Sequence, residues 1–139
     1  MQLITAFLGT LGFGVLFNIR GRKLWLAALG GLLSWGFFLL LGLWMENEPV
    51  RYFLCSVLVS VYAEILARVV KTPTTTFIII SLIPLIPGGS LYYTMASALE
   101  GSGPRFLHNG VHTLSLAIAL SLGIILVTSF VRRLKILKK

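Results

Sequence analysis

The sequence predicts an all-α integral membrane protein with five transmembrane helices, its N-terminus outside the cell and its C-terminus in the cytoplasm. Of the 139 residues, 57% are hydrophobic, and the mean hydropathy is +0.94. These values exclude a water-soluble globular protein of this size. The charged residues lie almost entirely in short segments between apolar runs, as the loops of a membrane protein do. We therefore treat residues 1–139 as one five-span transmembrane domain.

Five apolar runs predict the spans. A hydrocarbon core of about 30 Å takes about 20 helical residues to cross, and runs near that length cover residues 2–18, 24–44, 52–70, 77–99 and 111–131. The first run is marginally short. It has no basic segment ahead of it and is followed by Arg20, Arg22 and Lys23, which is the reverse of a cleavable secretory signal. We expect it to be retained as the first span.

The distribution of basic residues predicts the orientation. With five crossings, only Arg51 and Arg105 of the 12 Lys and Arg residues fall on the side opposite the C-terminus. Basic loops stay in the cytoplasm, so the C-terminus is expected inside and the N-terminus outside. The net charge of +8 comes from these loops and tail, so we do not expect a nucleic-acid partner.

The fourth run is interrupted by the segment PLIPGGSLYY, residues 84–93. Pro84 and Pro87 each lack a backbone donor and clash with the preceding turn of a helix. We expect two half-helices that meet near mid-membrane, with Ser90 capping a second half-helix over about 91–99. A complete but broken crossing is favoured over a re-entrant hairpin, because a hairpin would place the basic C-terminal tail outside.

The start of this second half-helix is the predicted substrate site, together with the two prolines and Ser90. Gly88 and Gly89 admit backbone angles that are closed to other residues. The N–H groups and the positive dipole end of a new helix suit a carboxylate, and Tyr92 and Tyr93 offer hydroxyls to a substrate or a neighbouring helix. Broken helices of this kind form midplane substrate sites in secondary transporters. The alternative is a proline kink whose freed backbone groups are satisfied by a neighbouring helix.

The third run carries a small polar face. Four polar residues recur there at intervals of four: Ser56, Ser60, Glu64 and Arg68. We predict that the two serines line a polar pathway. A carboxylate inside the bilayer is usually paired, protonated or facing a cavity. Burial of Glu64 favours a neutral, proton-carrying group, whereas Arg68 one turn on favours a charged ion pair, and the sequence leaves both alternatives open.

Three further polar residues have both a structural and a functional interpretation. Asn18 ends the first run either as a helix cap or as a polar residue of the pathway, and the cap is favoured. His108 and His112 share a helical face but lack a third ligand nearby, so we predict neither a metal site nor a cofactor. The sequence has no aspartate and no nucleophile or phosphate-binding motif of an enzyme. We expect no enzymatic activity.

Two segments of the chain resemble the threonine/serine exporter family: residues 13–31, FGVLFNIRGRKLWLAALGG, and residues 63–95, AEILARVVKTPTTTFIIISLIPLIPGGSLYYTM. The shared motif comprises Phe17, Asn18, Glu64, Ala67, Arg68, Pro73, Pro84, Leu85, Pro87, Gly88, Gly89, Leu91 and Tyr92. The chain is similar to the short subunit that corresponds to the C-terminal membrane half of full-length exporters. This resemblance implies secondary export of small carboxylate-bearing metabolites, either threonine and serine or, as in two-subunit bacterial members, dicarboxylates such as succinate.

The resemblance also implies a partner and a location. The short subunits work with a larger membrane subunit that has a cytoplasmic domain and five spans of its own, in the bacterial cytoplasmic membrane and in contact with its lipid. A five-span chain fits as the second half of an inverted pair. Glycine-rich helix faces also permit a homo-oligomer. The rival interpretation is a non-transporting assembly subunit whose partner holds the pathway.

Overall fold

The computed structural model describes residues 1–137, which form six α-helices and no strand. The helices are α1 (Gln2–Leu16), α2 (Arg22–Gly42), α3 (Glu48–Val70), α4 (Thr74–Leu82), α5 (Gly88–Leu99) and α6 (Gly103–Leu137), with a 3-10 turn over Ile83–Leu85 between α4 and α5. The all-α prediction is confirmed for this range. Lys138 and Lys139, which entered the charge count, lie outside the described residues.

Three helices are long and apolar enough to cross a membrane: α2, α3 and the Gly103–Leu134 part of α6. The α4–α5 pair makes a fourth span if it is taken as one bent segment. α1 has only 15 residues and rises about 22 Å, which is less than the about 30 Å of a hydrocarbon core. The described chain therefore gives three to four full-length candidate spans where five were predicted.

Asn18 ends α1 in the way the cap interpretation predicts. It adopts a left-handed conformation with φ of 57°, which asparagine tolerates better than most residues. Its N–H donates to the Val15 carbonyl at 2.9 Å, and the Ile19 N–H donates to the Gly14 carbonyl at 2.9 Å. This pair of bonds is a Schellman motif, which satisfies the last carbonyls of the helix. The Asn18 side chain accepts a bond from Arg20 Nε at 3.1 Å.

α3 and α6 extend beyond the apolar runs that predicted them. Asn47 caps α3 by accepting a bond from the Val50 N–H at 3.4 Å, so the helix begins at Glu48 rather than at residue 52. α6 begins at Gly103, eight residues before its apolar run. In both helices the first turns are polar, and an apolar run cannot mark where such a helix starts.

Glycines allow the helices to approach closely. A Cβ added to Gly31 would collide with Thr10 of α1, and one added to Gly30 would collide with Ser81 of α4. Hydrogen bonds join the same elements, since Ser34 Oγ lies 2.9 Å from the Ser81 carbonyl. α1, α3 and α4 pack on α2, and α6 packs on α3. One buried apolar cluster lies between α2, α3 and α4, and a second lies between α2, α3, the 3-10 turn and α6.

α5 leaves this bundle. Its axis is bent by 59° from that of α4, and it packs against α6 rather than against α1 to α4. Five of its large side chains are more than half exposed: Leu91, Tyr92, Tyr93, Met95 and Leu99. The second half of the broken segment thus lies on the N-terminal part of α6, and the two helices enclose a cleft.

Candidate functional site

The predicted break is present between α4 and α5. The helix tightens into a 3-10 turn at Ile83–Leu85, and Ile86 is extended, with φ of −62° and ψ of 123°. A new helix then begins at Gly88. The Gly88 N–H turns back to the Ile86 carbonyl at 2.7 Å. Pro84 lies within the 3-10 turn and Pro87 immediately precedes the new helix, so the two prolines bracket the break.

The prediction that Ser90 caps the new helix is wrong. Pro87 occupies the N-cap position, and no side chain caps α5. A proline has φ fixed near the helical value, so the helix starts directly after it. Ser90 therefore falls inside the first turn, where its carbonyl accepts a hydrogen bond from the Thr94 hydroxyl at 2.8 Å.

Gly88 and Gly89 do not use the backbone freedom that was expected of them. Among the described glycines only Gly21 and Gly101 have positive φ. A Cβ added to Gly88 or Gly89 would meet nothing within 4 Å. Among the described residues, neither backbone conformation nor packing accounts for the two glycines.

Ser90 and Tyr93 line a cleft of about 360 Å³ between α5 and α6, together with Asn109 and His112 of α6. Tyr93 is 64% exposed there, and its ring packs edge to face against that of Tyr92 at 5.5 Å between centroids. Ser90 belongs to the first turn of α5, and the Gly88 N–H of that turn is already bonded to the Ile86 carbonyl. The side chains that line the cleft therefore offer hydroxyl, amide and imidazole groups beside the start of α5.

Hydrogen bonds fix the walls of this cleft to one another. Asn109 Nδ2 donates to Ser97 Oγ at 2.9 Å and to the Tyr93 carbonyl at 3.4 Å. The hydroxyls of Thr94 and Thr113 lie 3.1 Å apart. Polar bonds between membrane helices are each worth about 0.6 kcal/mol. Together they hold α5 in register on α6.

His112 also joins α6 to α3. Its Nε2 lies 3.0 Å from Oε2 of Glu48, and the two side chains are 41% and 35% exposed. Glu48 is in the first turn of α3, where the helix dipole favours a negative charge. From the sequence, His112 was considered only as half of a metal pair, for which no site was predicted, and Asn109 was not singled out. Asn109 and His112 lie near the break because α6 folds back on α5. The polar residues at the start of the fifth run were the signal in the sequence that could have pointed to them.

Glu64 and Arg68 lie elsewhere on α3. They line a groove of about 420 Å³ between α3 and α6 whose other walls are apolar: Val57, Val61, Ile65, Leu126, Val127, Phe130, Val131 and Leu134. Glu64 is 8% exposed, and Arg68 is exposed. Glu48 is 16 residues earlier on the same helix, about 24 Å away along its axis. The predicted residues therefore form two separate groups.

The two serines of the predicted polar face are buried between helices. Ser56 Oγ donates to the Phe53 carbonyl at 2.7 Å and packs on Gly123 of α6. Ser60 is completely buried, and within the described chain its hydroxyl has no hydrogen-bond partner. Neither serine is among the residues that line the cleft or the groove.

Asn18 lies next to a smaller cavity of about 160 Å³ at the end of α1. Its neighbours Phe17 and Ile19 line this cavity together with Thr75 and Thr76 of α4. The Asn18 side chain is itself exposed and bonded to Arg20.

Comparison with known proteins identifies one family. The family model described as "Threonine/Serine exporter, ThrE" matches residues 2–130. The match runs from α1 through most of α6 and includes the break, the cleft and all residues of the Glu64 groove except Val131 and Leu134. No solved structure matches the chain.

Proposed function

Since the chain belongs to the threonine/serine exporter family, we propose that it is the small membrane subunit of a secondary exporter of small carboxylate-bearing metabolites. Threonine and serine, or dicarboxylates such as succinate, are the proposed substrates. The proposed location is the bacterial cytoplasmic membrane, with several helices crossing it. A larger five-span subunit with a cytoplasmic domain is the proposed partner.

The cleft at the break is the observation that carries this proposal. Its volume of about 360 Å³ is within the roughly 300–1,000 Å³ of small-molecule sites. The N–H groups of Gly89 and Ser90 belong to the first turn of α5, and a carboxylate at that terminus receives their bonds and the favourable dipole. The Ser90 and Tyr93 hydroxyls supply further donors. The open space at Gly88 and Gly89 leaves room for the substrate to reach the backbone.

We propose that α4 and α5 together form one crossing. The segment Thr74–Leu85, which comprises α4 and the 3-10 turn, and α5 each have 12 residues and are each about 18 Å long. At a bend of 59°, α5 still advances about 9 Å along the direction of α4, so the pair spans close to the about 30 Å of a hydrocarbon core. With α1 accommodated by local thinning of the bilayer, the chain crosses five times, N-terminus outside and C-terminus inside, as its basic residues favour.

The incomplete enclosure of the cleft supports a partner. Among the described helices, α5 makes extensive contacts only with α6. Tyr93 on α5 remains 64% exposed. A transport site must be closed from lipid and water, so a second subunit has to supply the missing wall. A second copy of this chain is the homo-oligomeric alternative. The same observation favours the rival function, in which this chain only assembles with a partner that holds the pathway.

Glu64 is the proposed proton carrier of the exporter. Glu64 is buried and lines, with the exposed Arg68, a groove whose other walls are apolar, and acidic groups in such positions serve as proton relays in transporters. The alternative is a structural ion pair with Arg68.

Export measurements separate the proposed function from its rival. Cells that produce this chain and a five-span partner should release threonine, serine or succinate faster than cells that produce the partner alone. If the partner alone exports at the full rate while this chain is present only as a stabilising component, the assembly function is correct. Reconstitution of each subunit alone and of both together into vesicles gives the same comparison without other cellular transporters.

A further inference from the structure

Four described side chains line the cleft, and of these His112 can carry a positive charge. The others, Ser90, Tyr93 and Asn109, are neutral donors or acceptors. Both N–H bonds of the Asn109 amide point to partners within the α5–α6 pair, at Ser97 Oγ and the Tyr93 carbonyl. An anion in the cleft therefore depends on His112 and on the N-terminus of α5 for charge.

The titratable and charged groups near His112 come from each element packed around it. α3 contributes Glu48, which contacts the ring at 3.0 Å. Arg51, three residues later on α3, places its guanidinium over the Phe38 ring of α2, 4.5 Å from the ring centre. Tyr93 on α5 shares the cleft. His108, one turn earlier on α6, lines a neighbouring cavity with His112. Glu48 is the group in direct contact.

Resting on the function proposed above, we propose that protonated His112 binds the carboxylate of the substrate, and that this carboxylate displaces Glu48. The pair is 41% and 35% exposed, and ion pairs at such exposure are weak. A substrate carboxylate that also accepts hydrogen bonds from the N-terminus of α5 therefore competes with Glu48 for His112. The proton stays on the imidazole throughout, since only the acceptor of the Nε2–H bond changes. Glu48 remains stabilised at the N-terminus of α3.

Histidine changes its charge between about pH 5 and pH 8, so substrate affinity should depend on pH through this residue. This chain, assembled in lipid nanodiscs with the five-span partner of the export measurements, is titrated calorimetrically with succinate, and separately with L-threonine, at about pH 5.5 and about pH 8. Loss of one charged hydrogen bond weakens binding roughly tenfold. We expect that decrease between the lower and the higher pH for the unmodified chain.

Variants of the pair test each part of the proposal. His112→Gln should bind weakly at both values of pH, and His112→Lys should restore affinity at both without pH dependence. Glu48→Gln should strengthen binding a few-fold at the lower pH, because the competing carboxylate is gone. His108→Gln is a matched control, since the chain has only two histidines, and it should keep the full pH response.

The possible failures have different meanings. If His112→Gln keeps the pH response, or if the unmodified chain binds equally well at both values of pH, His112 does not hold the substrate and the exporter function stands. Unchanged low-pH affinity in Glu48→Gln overturns the displacement of Glu48. If neither probe binds the unmodified assembly at either value of pH, the role of His112 is overturned, and if no export is seen in cells either, the proposed function fails as well. His112→Lys distinguishes a lost charge from a misfolded chain.

Discussion

Asn109 Nδ2 donates a hydrogen bond to Ser97 Oγ at 2.9 Å and so joins α6 to α5 beside the cleft. α5 packs on α6 and not on α1 to α4. The position of the second half-helix therefore depends on hydrogen bonds between α5 and α6. The polar residues of these two helices therefore determine the shape of the candidate site.

Asn109→Ala should loosen this pair of helices. It removes the bonds to Ser97 and to the Tyr93 carbonyl, at a cost of about 1 kcal/mol in the free energy of unfolding. Thermal unfolding of the purified chain in detergent measures this loss. Ser121→Ala is the matched control, because its hydroxyl bonds only to the Ala117 carbonyl of its own helix. An equal effect of the two substitutions would contradict an interhelical role for Asn109.

Gly89→Leu should abolish export while leaving the protein level unchanged. No described atom lies within 4 Å of a Cβ added to Gly89. The fold therefore accommodates the leucine side chain, which occupies the space at the start of α5. Release of threonine or succinate from preloaded cells measures the effect. Gly9→Leu also adds a side chain into open space, and it should leave export intact. Normal export by Gly89→Leu at a normal protein level would exclude this end of α5 as the site.

Gly123→Ala should destabilise the chain by about 1–3 kcal/mol. Its Cβ would lie 2.9 Å from the Phe53 backbone carbonyl and would collide with Ser56, so α3 and α6 would have to separate. Gly12→Ala faces open space and should be neutral or slightly stabilising, since alanine is the better helix former. The midpoints of thermal unfolding compare the two variants, and similar midpoints would show that the α3–α6 contact is not tight.

Glu64→Gln should remove the dependence of export on a pH gradient, because the glutamine cannot carry a proton across the membrane. Export into media of different pH measures the coupling. Glu100→Gln changes an exposed acid just after α5 and should leave the coupling unchanged. If Glu64→Gln exports with its full dependence on the gradient, the carboxyl group has a structural role.

The sequence predicted features that depend on local backbone chemistry. The break between Pro84 and Gly89 and the cap at Asn18 both follow from proline and asparagine at particular positions, and both are present. Gly30, Gly31 and Gly123 lie tightly against neighbouring helices, whereas a Cβ added to Gly9 or Gly12 would meet no described atom within 4 Å. Spacing alone does not show which glycine faces a neighbour.

Other features depend on tertiary structure and were missed. Ser90 has the right residue type for a cap, but Pro87 starts the helix three residues earlier. Asn109 and His112 join the cleft because α6 folds back on α5, and no local pattern gives that pairing. α1 is shorter than its apolar run because the Schellman motif stops the helix at Leu16 while the apolar sequence continues.

Protection of the cleft by substrate tests the central claim most directly. The chain has one cysteine, Cys55, which is buried, so a cysteine introduced as Ser90→Cys is the accessible target for a water-soluble maleimide. Threonine or succinate should slow its labelling, while labelling of a control cysteine introduced as Glu100→Cys at the far end of α5 should not change. Equal labelling of Ser90→Cys with and without either compound would contradict a substrate site at the break.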